Sequence, residues 1–113
     1  QVDFISAHGT ATLYNDEMES KAFYHQALHK KPVHSLKGYF GHTLGAAGVL
    51  ETVLCTQSLL HNELIPSYGF EKQGTSQPLQ IITKKITHPL TACLKTASGF
   101  GGCNAAVVLE KTL

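Results

Sequence analysis

Charge is the scarcest property of this chain. Only 15% of its 113 residues are Asp, Glu, Lys or Arg, against about a quarter in an ordinary globular domain. The formal net charge is +1, which indicates no basic surface, so we expect neither nucleic acid nor a membrane as a partner. The low charge fraction also indicates that much of the surface is covered, by a partner subunit or by sequence outside this stretch.

Long apolar runs, metal-type cysteine spacing and a secretory signal are missing too. No stretch reaches the roughly 18 apolar residues of a membrane span. Cys55, Cys93 and Cys103 stand in apolar or small-residue surroundings, and an odd cysteine count without a signal peptide favours a cytoplasmic location. The chain begins at Gln1, directly before a strand, so we interpret residues 1–113 as one domain of a longer protein.

The hydrophobic pattern predicts a strand–helix–strand–helix unit followed by a pair of strands. The predicted elements are a strand at 2–7, a helix from Asn15 to about Leu28 or His29, a strand at 33–36, a helix at about 43–61, an irregular segment at 62–78, and strands near 91–97 and 104–110. This order is typical of a mixed α/β sheet with helices on its faces.

The two predicted helices differ in kind. Asn15 is the expected N-cap of the first, and Glu17 and Lys21 form an i,i+4 pair along it. The second begins with the run Leu44-Gly45-Ala46-Ala47-Gly48, which is apolar or small on nearly every face. We therefore expect this helix to be buried in the middle of the molecule, where Glu51 needs a partner for its carboxylate.

Two histidines stand at element boundaries. His8 closes the first strand, and Gly9 after it lets the backbone turn and another group approach closely. His42 precedes the small-residue helix, where the helix dipole disfavours an imidazolium and a neutral ring could donate an N–H to an oxyanion. Each histidine alone is more often structural. Together they suit a site that polarises a carbonyl, but no cysteine or serine of this chain is a clear nucleophile.

A lysine accompanies the second histidine. Lys37 lies five residues before His42 in a glycine-flanked turn. A lone lysine in a loop is usually solvated, but Asp16 and Glu19 are candidate acids for a buried ion pair with it. Such a pair would hold the two histidine loops in register at a desolvation cost that favours a functional role.

The remaining candidates are a glycine loop and a pair of histidines. Gly99-Phe100-Gly101-Gly102 is either a tight turn with an exposed aromatic ring or a mobile loop whose Phe100 moves over a pocket.

His25 and His29 have i,i+4 spacing but lack the glutamate of a zinc-protease motif. We interpret them as solvent-exposed residues and expect no metal site.

These segments together resemble the C-terminal half of the β-ketoacyl-acyl carrier protein synthases, the condensing enzymes of fatty acid and polyketide synthesis. The matching motifs, in the family's order and approximate spacing, are His8-Gly9-Thr10-Ala11-Thr12 with Asp16 and Glu19, Lys37 with Gly41-His42 and Leu44-Gly45-Ala46-Ala47-Gly48, and Gly99-Phe100-Gly101-Gly102-Cys103-Asn104. The resemblance spans essentially the whole chain.

The resemblance implies a thiolase-like α/β fold of two similar halves, of which this chain is the C-terminal one, with a mixed five-stranded sheet. It implies a 3-oxoacyl-[acyl carrier protein] synthase, in which a cysteine of the first half is acylated and a malonyl unit on the carrier protein's phosphopantetheine arm loses carbon dioxide and attacks it. No other cofactor is implied. The implied partners are acyl carrier protein, the missing N-terminal half, and a second synthase subunit in a homodimer or heterodimer.

The resemblance also implies roles for individual residues. His8 and His42 would stabilise the enolate, and Lys37 would pair with Glu19 to order the site. Thr10 and Thr12 resemble the threonines that bind the pantetheine amides. Phe100 resembles a gating phenylalanine, and Gly99 and Gly101 are its neighbours in the glycine loop. Asp16 and Glu51 would give structural support, and the counterpart of Glu51 helps to coordinate a structural monovalent cation in some members.

Five positions depart from the family pattern. Ser6 stands where many members have Asn, and Lys95-Thr96 where many have Ser-Asn, which counts against the cation site. Ser98 replaces a common Phe and Cys103 a common Thr.

Two other functions stay open from the sequence. One is a non-catalytic partner of the same fold, similar to a chain-length factor, although such a subunit would not need both histidines and Lys37. The other is a small metal- or nucleotide-binding module, which the glycine loop supports weakly because it lacks the phosphate-loop pattern. If the chain belongs to a synthase, we expect it to be inactive in isolation because the half that carries the nucleophile is absent.

Overall fold

The computed structural model describes residues 1–112, which form a five-stranded mixed sheet with helices on both of its faces and a separate two-stranded sheet. The elements in chain order are β1 (Phe4–Ser6), α1 (Leu13–His25), β2 (Pro32–His34), α2 (Lys37–Phe40), a 3₁₀ turn (Leu44–Ala46), α3 (Ala47–His61), β3 (Glu63–Leu64), β4 (Gln80–Ile81), β5 (Ile86–Thr87), β6 (Ala92–Gly99) and β7 (Cys103–Glu110).

The main sheet has five strands in the order β4-β2-β1-β6-β7, which confirms the predicted mixed α/β sheet. The first four strands are parallel, and β7 is antiparallel to β6. Strand β1 lies in the middle, with Ser6 in register with His34 of β2 on one side and with Lys95 of β6 on the other. The carboxyl end of β1 therefore has a parallel neighbour on each side, the usual place for a site in a parallel sheet.

Successive residues of β1 point to opposite faces of the sheet and anchor two separate cores. Phe4 packs in a cluster with Cys55 and Leu59 of α3 and with Cys93 of β6. Ile5 packs on the opposite face with Phe23 of α1. Helices α1 and α3 thus cover opposite faces, giving three layers.

The first helix begins earlier than the sequence predicts. Its N-cap residue is Thr12, not Asn15, whose side chain instead donates hydrogen bonds to Asp16 and Glu19. The helix ends at His25, because the chain turns at Ala27, which has a left-handed φ of 56°. The predicted pair of Glu17 and Lys21 is present, with Oε1 and Nζ 3.2 Å apart.

The expectation that the small-residue helix is buried on nearly every face is wrong for this chain. One face of α3 is buried: Ala47, Glu51, Cys55, Ser58 and Leu59. The opposite side exposes Val49, which is 71% accessible, and Val53. Leu44 in the 3₁₀ turn is exposed as well. The helix is apolar all round, but only half of it finds a neighbour within residues 1–112.

The segment predicted as irregular, 62–78, and the residues after it contain short strands. Strand β3 pairs antiparallel with β5, and β4 joins the edge of the main sheet beside β2. Each of these strands has two residues, too few for the alternating pattern by which a strand is recognised.

Helix α2 is held against the segment after β3 by a close backbone approach at Gly38. A Cβ atom at this position would lie 2.2 Å from the carbonyl oxygen of Tyr68. The Tyr39 hydroxyl donates a hydrogen bond to the carbonyl of Pro66 at 2.7 Å, and its ring lies 5.5 Å from that of Tyr68. Because Lys37 is the first residue of α2, this contact also fixes the start of the lysine side chain.

We expect Gly38→Ala to destabilise the protein by about 1–3 kcal/mol, because the added methyl group must displace a backbone carbonyl. Gly74→Ala is the matched control, since open space surrounds that position, and we expect a change within about 0.5 kcal/mol. Urea denaturation followed by circular dichroism measures both. Equal stabilities for the two variants would contradict the close approach.

Candidate functional site

The predicted site residues converge at the carboxyl end of β1. Gly9 has a φ of 49°, and a Cβ there would lie 2.5 Å from Cβ of Ser35, so the predicted turn and close approach are both present. The Ser35 hydroxyl donates to the Gly9 carbonyl at 2.7 Å. These contacts bind the loop after β1 to the loop after β2.

His8 and His42 come together across these loops. Their ring centroids are 5.1 Å apart and their planes meet at 81°, an edge-to-face arrangement. His8 is buried and His42 is exposed. The sequence places them 34 positions apart, so their contact is a product of the fold.

Burial and Lys37 together keep His8 neutral, and Lys37 fixes its tautomer. The Nζ of Lys37 lies 3.3 Å from Nδ1 of His8 and donates to the His8 carbonyl oxygen. An ammonium only donates, so Nδ1 of His8 must accept and the ring proton of the neutral form is on Nε2. Burial, followed by the positive charge of Lys37, lowers the pKa of His8, although Glu19 opposes this. His8 is therefore held as a neutral ring with an Nε2–H donor.

A backbone amide determines the tautomer of His42 in the same way. The Leu44 N–H donates to Nδ1 of His42 at 3.0 Å. Nδ1 is thus an acceptor, and Nε2 carries the proton of the neutral ring. The Nδ1 atom of each histidine thus faces a donor, an ammonium in one case and a backbone amide in the other. The Nε2–H group of each ring is left to donate to another molecule.

A buried carboxylate on α3 binds two ammonium groups. Glu51 is fully buried; its Oε2 lies 2.9 Å from Nζ of Lys37, and its Oε1 lies 2.8 Å from Nζ of Lys95. The predicted need of Glu51 for a partner is thus met twice. Burial lowers the pKa of Lys37, whereas the hydrogen bond and negative charge of Glu51 raise it.

The predicted ion pair between Lys37 and Glu19 is wrong: Glu51 is the partner of Lys37. Glu19 accepts four other hydrogen bonds, from the backbone N–H groups of His8 and Gly9, the Asn15 amide and the Thr96 hydroxyl, at 2.8–3.1 Å. These donors supply the carboxylate with about as many partners as it can accept. Glu19 therefore holds the His8 loop directly, without the lysine.

Asp16 also holds this loop, and the two threonines lie beyond it. The Asp16 carboxylate accepts from the Thr10 N–H at 3.1 Å, and the Thr10 and Thr12 hydroxyls are hydrogen-bonded at 2.6 Å. Thr10 lines a cleft of about 640 Å³ together with Glu19, Lys37 and His42. Thr12 is exposed and lies outside the residues that line this cleft.

The glycine loop joins β6 to β7 as a tight hairpin. Gly99 pairs with Cys103, and Gly101 and Gly102 both have positive φ, 85° and 82°. Phe100 at the tip is 97% exposed. The loop does not line the cleft, so within the described residues the structure separates Phe100 from the Thr10 side of the site.

None of the three cysteines is among the residues that line the cleft. Cys55 and Cys93 are fully buried in the Phe4 core, and Cys103 is exposed at the start of β7. Cys55 packs beside Cys93 in this core and is 0% exposed. Its burial keeps any substrate away from it.

Lys95 is the site residue that sequence reasoning failed to assign. Cys93 and Lys95 are two positions apart on β6 and so share a face, and Cys93 belongs to the core. Glu51 and Cys55 are likewise one turn apart on the buried face of α3. A lysine on the core face of a strand, opposite a glutamate on the core face of a helix, is the signal that could have identified the pair.

A structural monovalent cation does not fit this site. Backbone oxygens already surround the ammonium of Lys95 beside Glu51: its Nζ contacts the carbonyls of Ser6 and Ala7 at the end of β1 and that of Thr96 on β6.

Neither a metal cluster nor a membrane-spanning helix is found among residues 1–112. No group of three or more His, Cys, Asp or Glu side chains there is arranged to hold a metal ion. No helix in that range is long and apolar enough to cross a membrane. His25 is exposed as predicted, but His29 follows the end of α1 and is half-buried, with its ring 4.6 Å from that of Tyr24.

Comparison with known sequences gives one family. Residues 1–71 match the family described as the C-terminal domain of beta-ketoacyl synthase. The chain is 34% identical over 112 residues to 3-oxoacyl-[acyl-carrier-protein] synthase 1 of Escherichia coli K12, an alignment that covers 97% of this chain and 28% of that protein. The chain thus spans little more than a quarter of the length of this relative.

Solved structures share the fold. The ishigamide ketosynthase/chain length factor structure superposes with a TM-score of 0.93 at 28% identity, over 98% of this chain and 28% of that one. A type II polyketide acyl-carrier protein in complex with its ketosynthase superposes with a TM-score of 0.91 at 30% identity, over 98% of this chain and 28% of that one. The expected thiolase-like α/β fold is confirmed.

We expect Lys37→Met to raise the pKa of His8, because methionine removes the positive charge 3.3 Å from Nδ1. Titration of the ¹⁵N-labelled imidazole by NMR measures the shift. Lys21→Met is the matched control, since Lys21 is exposed and paired with Glu17 on the surface, and it should leave His8 unchanged. An unchanged or lower pKa of His8 in Lys37→Met would contradict the assigned contact.

The lowered pKa of His8 also gives the direction of a pH effect on folding. Such a histidine contributes stability that is complete above its unfolded pKa, about 6.5, and is lost as the pH falls through its folded value. Below about pH 6.5, the free energy of unfolding of the wild type should therefore fall relative to that of His8→Asn, measured by urea denaturation at each pH. A difference that stays constant down to pH 5 would refute this.

Proposed function

Since the chain belongs to the beta-ketoacyl synthase family through its C-terminal domain, we propose that the protein containing it condenses an acyl thioester with malonyl carrier protein, with loss of carbon dioxide. The observation that carries this proposal is the histidine pair. Both Nδ1 atoms are hydrogen-bonded to neighbouring groups, so both rings offer an Nε2–H donor at one place.

Two neutral donors suit the decarboxylation step. When the bond between the malonyl α-carbon and its carboxylate breaks, the electron pair moves into the thioester and places negative charge on the carbonyl oxygen as an enolate. Two N–H groups near that oxygen stabilise the charge more in the transition state than in the substrate. The enolate carbon then attacks the acyl thioester on the cysteine of the other half, and the cysteine thiolate leaves.

The surrounding charges keep His8 in the form that this step needs. Lys37 favours the neutral ring by its charge and fixes its tautomer by its hydrogen bond to Nδ1. Glu51 holds Lys37 in place, and Glu19 holds the backbone on which His8 stands. In this proposal His8 and His42 touch the substrate, whereas Lys37, Glu19, Glu51 and Asp16 position them.

The threonines and the glycine loop complete the proposed site. Thr10 lines the cleft, and its hydroxyl is hydrogen-bonded to that of Thr12 just outside it. Thr10 is therefore proposed to bind an amide of the phosphopantetheine arm, with Thr12 orienting its hydroxyl. Phe100 is almost fully exposed among residues 1–112, so none of them packs over its ring. That exposure supports the proposed role of Phe100 as a gate. Its neighbours Gly99 and Gly101 would let the ring move over the nucleophile, which lies in the other half of the protein.

The acylated cysteine is proposed to lie in that other half. Cys55 and Cys93 are buried and Cys103 lies at the end of the glycine hairpin. The exposed side of α3, with Val49 and Val53, is the surface on which we expect the other half to pack. Residues 1–113 would then be the C-terminal domain, inactive alone, of a cytoplasmic synthase that acts as a homodimer or a heterodimer.

Carrier protein and partner subunit are proposed by likeness. One matching structure is described as an acyl-carrier protein in complex with its ketosynthase and another as a ketosynthase with a chain length factor. A non-catalytic subunit like the latter would not need two histidines with matched tautomers. The geometry therefore favours the catalytic function.

His8→Ala and His42→Ala, each made in the complete protein, should each lower the rate of malonyl carrier protein decarboxylation by about 10²–10³-fold, because each removes one donor to the enolate oxygen. Release of ¹⁴CO₂ from labelled malonyl carrier protein measures this rate. His61→Ala, at an exposed position in the last turn of α3, is the control and should keep the wild-type rate.

Wild-type rates in both variants would exclude the proposed role of the histidines. A complete wild-type protein that releases no carbon dioxide by itself, but restores condensation when it is added to a separate synthase subunit, would identify the non-catalytic partner instead.

A further inference from the structure

The ammonium group of Lys95 lies in a cage of oxygen atoms. Its Nζ is 2.8 Å from Oε1 of Glu51 and 2.8 Å from the carbonyl oxygen of Thr96. The carbonyl oxygens of Ala7 and Ser6 lie at 3.2 and 3.4 Å. Lys95 is only 3% exposed, so these four oxygens take the place of its hydration shell.

Burying an ammonium group in this way is costly. A buried ammonium loses its solvation, which hydrogen bonds and an opposite charge must compensate. Here one carboxylate and three carbonyls provide that compensation. The same set of hard oxygen donors, one charged and three neutral, would also suit a free monovalent cation, since carbonyl oxygens replace the water around K⁺ in proteins.

The cage also connects Lys95 to the histidine site. The carbonyls of Ser6 and Ala7 immediately precede His8, whose own carbonyl accepts from Lys37. Three successive carbonyls at the end of β1 thus bind two buried ammoniums, and Glu51 bridges the same two groups. Loss of either ammonium would leave Glu51 with one of its two partners and part of this strand end without a donor.

We propose that Lys95 is a tethered substitute for a bound monovalent cation. Its ammonium has the charge of K⁺ and nearly the same size, and it fills the position that a free ion would take beside Glu51. The site therefore requires no ion from solution in the wild type. Removal of the lysine side chain turns the cage into a K⁺ site. The proposal depends on the oxygen cage alone and not on the condensation reaction.

The test uses the protein that contains this chain, in its full length, and follows the melting temperature. Lys95→Ser removes the ammonium and leaves room for an ion, whereas Lys95→Met removes the charge but fills the space with a side chain of similar length. Lys84→Ser is the control at an exposed lysine. Each protein is melted in KCl, in LiCl and in choline chloride at equal ionic strength.

For the wild type, Lys84→Ser and Lys95→Met, the melting temperature of each protein should not differ between the three salts. Both Lys95 variants should melt several degrees below the wild type in choline chloride, because Glu51 loses one of its two partners. Lys95→Ser alone should regain a large part of that loss in KCl, increasingly with concentration, as for any ligand that binds the folded state. Li⁺ should act more weakly because it is too small for the cage.

A wild type that is stabilised by K⁺ as much as Lys95→Ser would overturn the proposal, and so would a Lys95→Ser protein indifferent to K⁺. Crystals of the wild type grown in RbCl keep the test decisive if Lys95→Ser fails to fold. A Rb⁺ anomalous peak among the carbonyls of Ser6, Ala7 and Thr96 would refute a tethered cation, and its absence there, with the lysine in place, would support it. Because no readout involves catalysis, a failure here is distinguishable from a failure of the proposed function.

Discussion

The contact on which this site depends is the one between the Glu51 carboxylate and the ammoniums of Lys37 and Lys95. It joins helix α3, the start of α2 and strand β6 at the end of β1, and all three side chains are buried. A buried ion pair rarely adds stability over an apolar core of the same volume, whereas removal of one member is strongly destabilising. We therefore interpret these ion pairs as positioning contacts: they hold Lys37 in place against His8.

The two carboxylates near His8 have different kinds of partner. Glu51 binds cations, while Glu19 binds neutral donors and so holds the His8–Gly9 backbone and the Thr96 side chain. The two glutamates and two lysines balance in formal charge. The ammonium of Lys37 lies 3.3 Å from the His8 ring nitrogen and lowers the pKa of His8 by more than Glu19 raises it. That local asymmetry, added to burial, explains why the ring stays neutral beside two carboxylates.

Much of the fold and part of the site could be predicted from sequence. The end of β1 at His8, the turn at Gly9 and the mixed sheet follow from short-range patterns, and Glu51 was rightly expected to need a partner. The choice of Glu51 over Glu19 as the partner of Lys37 could not be predicted, because it depends on which donors reach Glu19 across the sheet. The burial of α3 was overestimated for a related reason. The sequence shows that the helix is apolar on every side, but it does not show that residues 1–112 cover only one of them.

A tethered ammonium and a free ion meet the same electrostatic need in physically different ways. A free ion stabilises the folded state only when its concentration is comparable with its dissociation constant or higher, and the gain then grows with the logarithm of the concentration. The lysine is always present, but it gives up about 2 kcal/mol of rotamer freedom on ordering, and it ties the cage to strand β6. Since β6 continues into the hairpin that carries Phe100, the cation that steadies the histidine loop is covalently part of the strand that leads to the proposed gate. An ion in solution could fill the cage, but it could not make that connection.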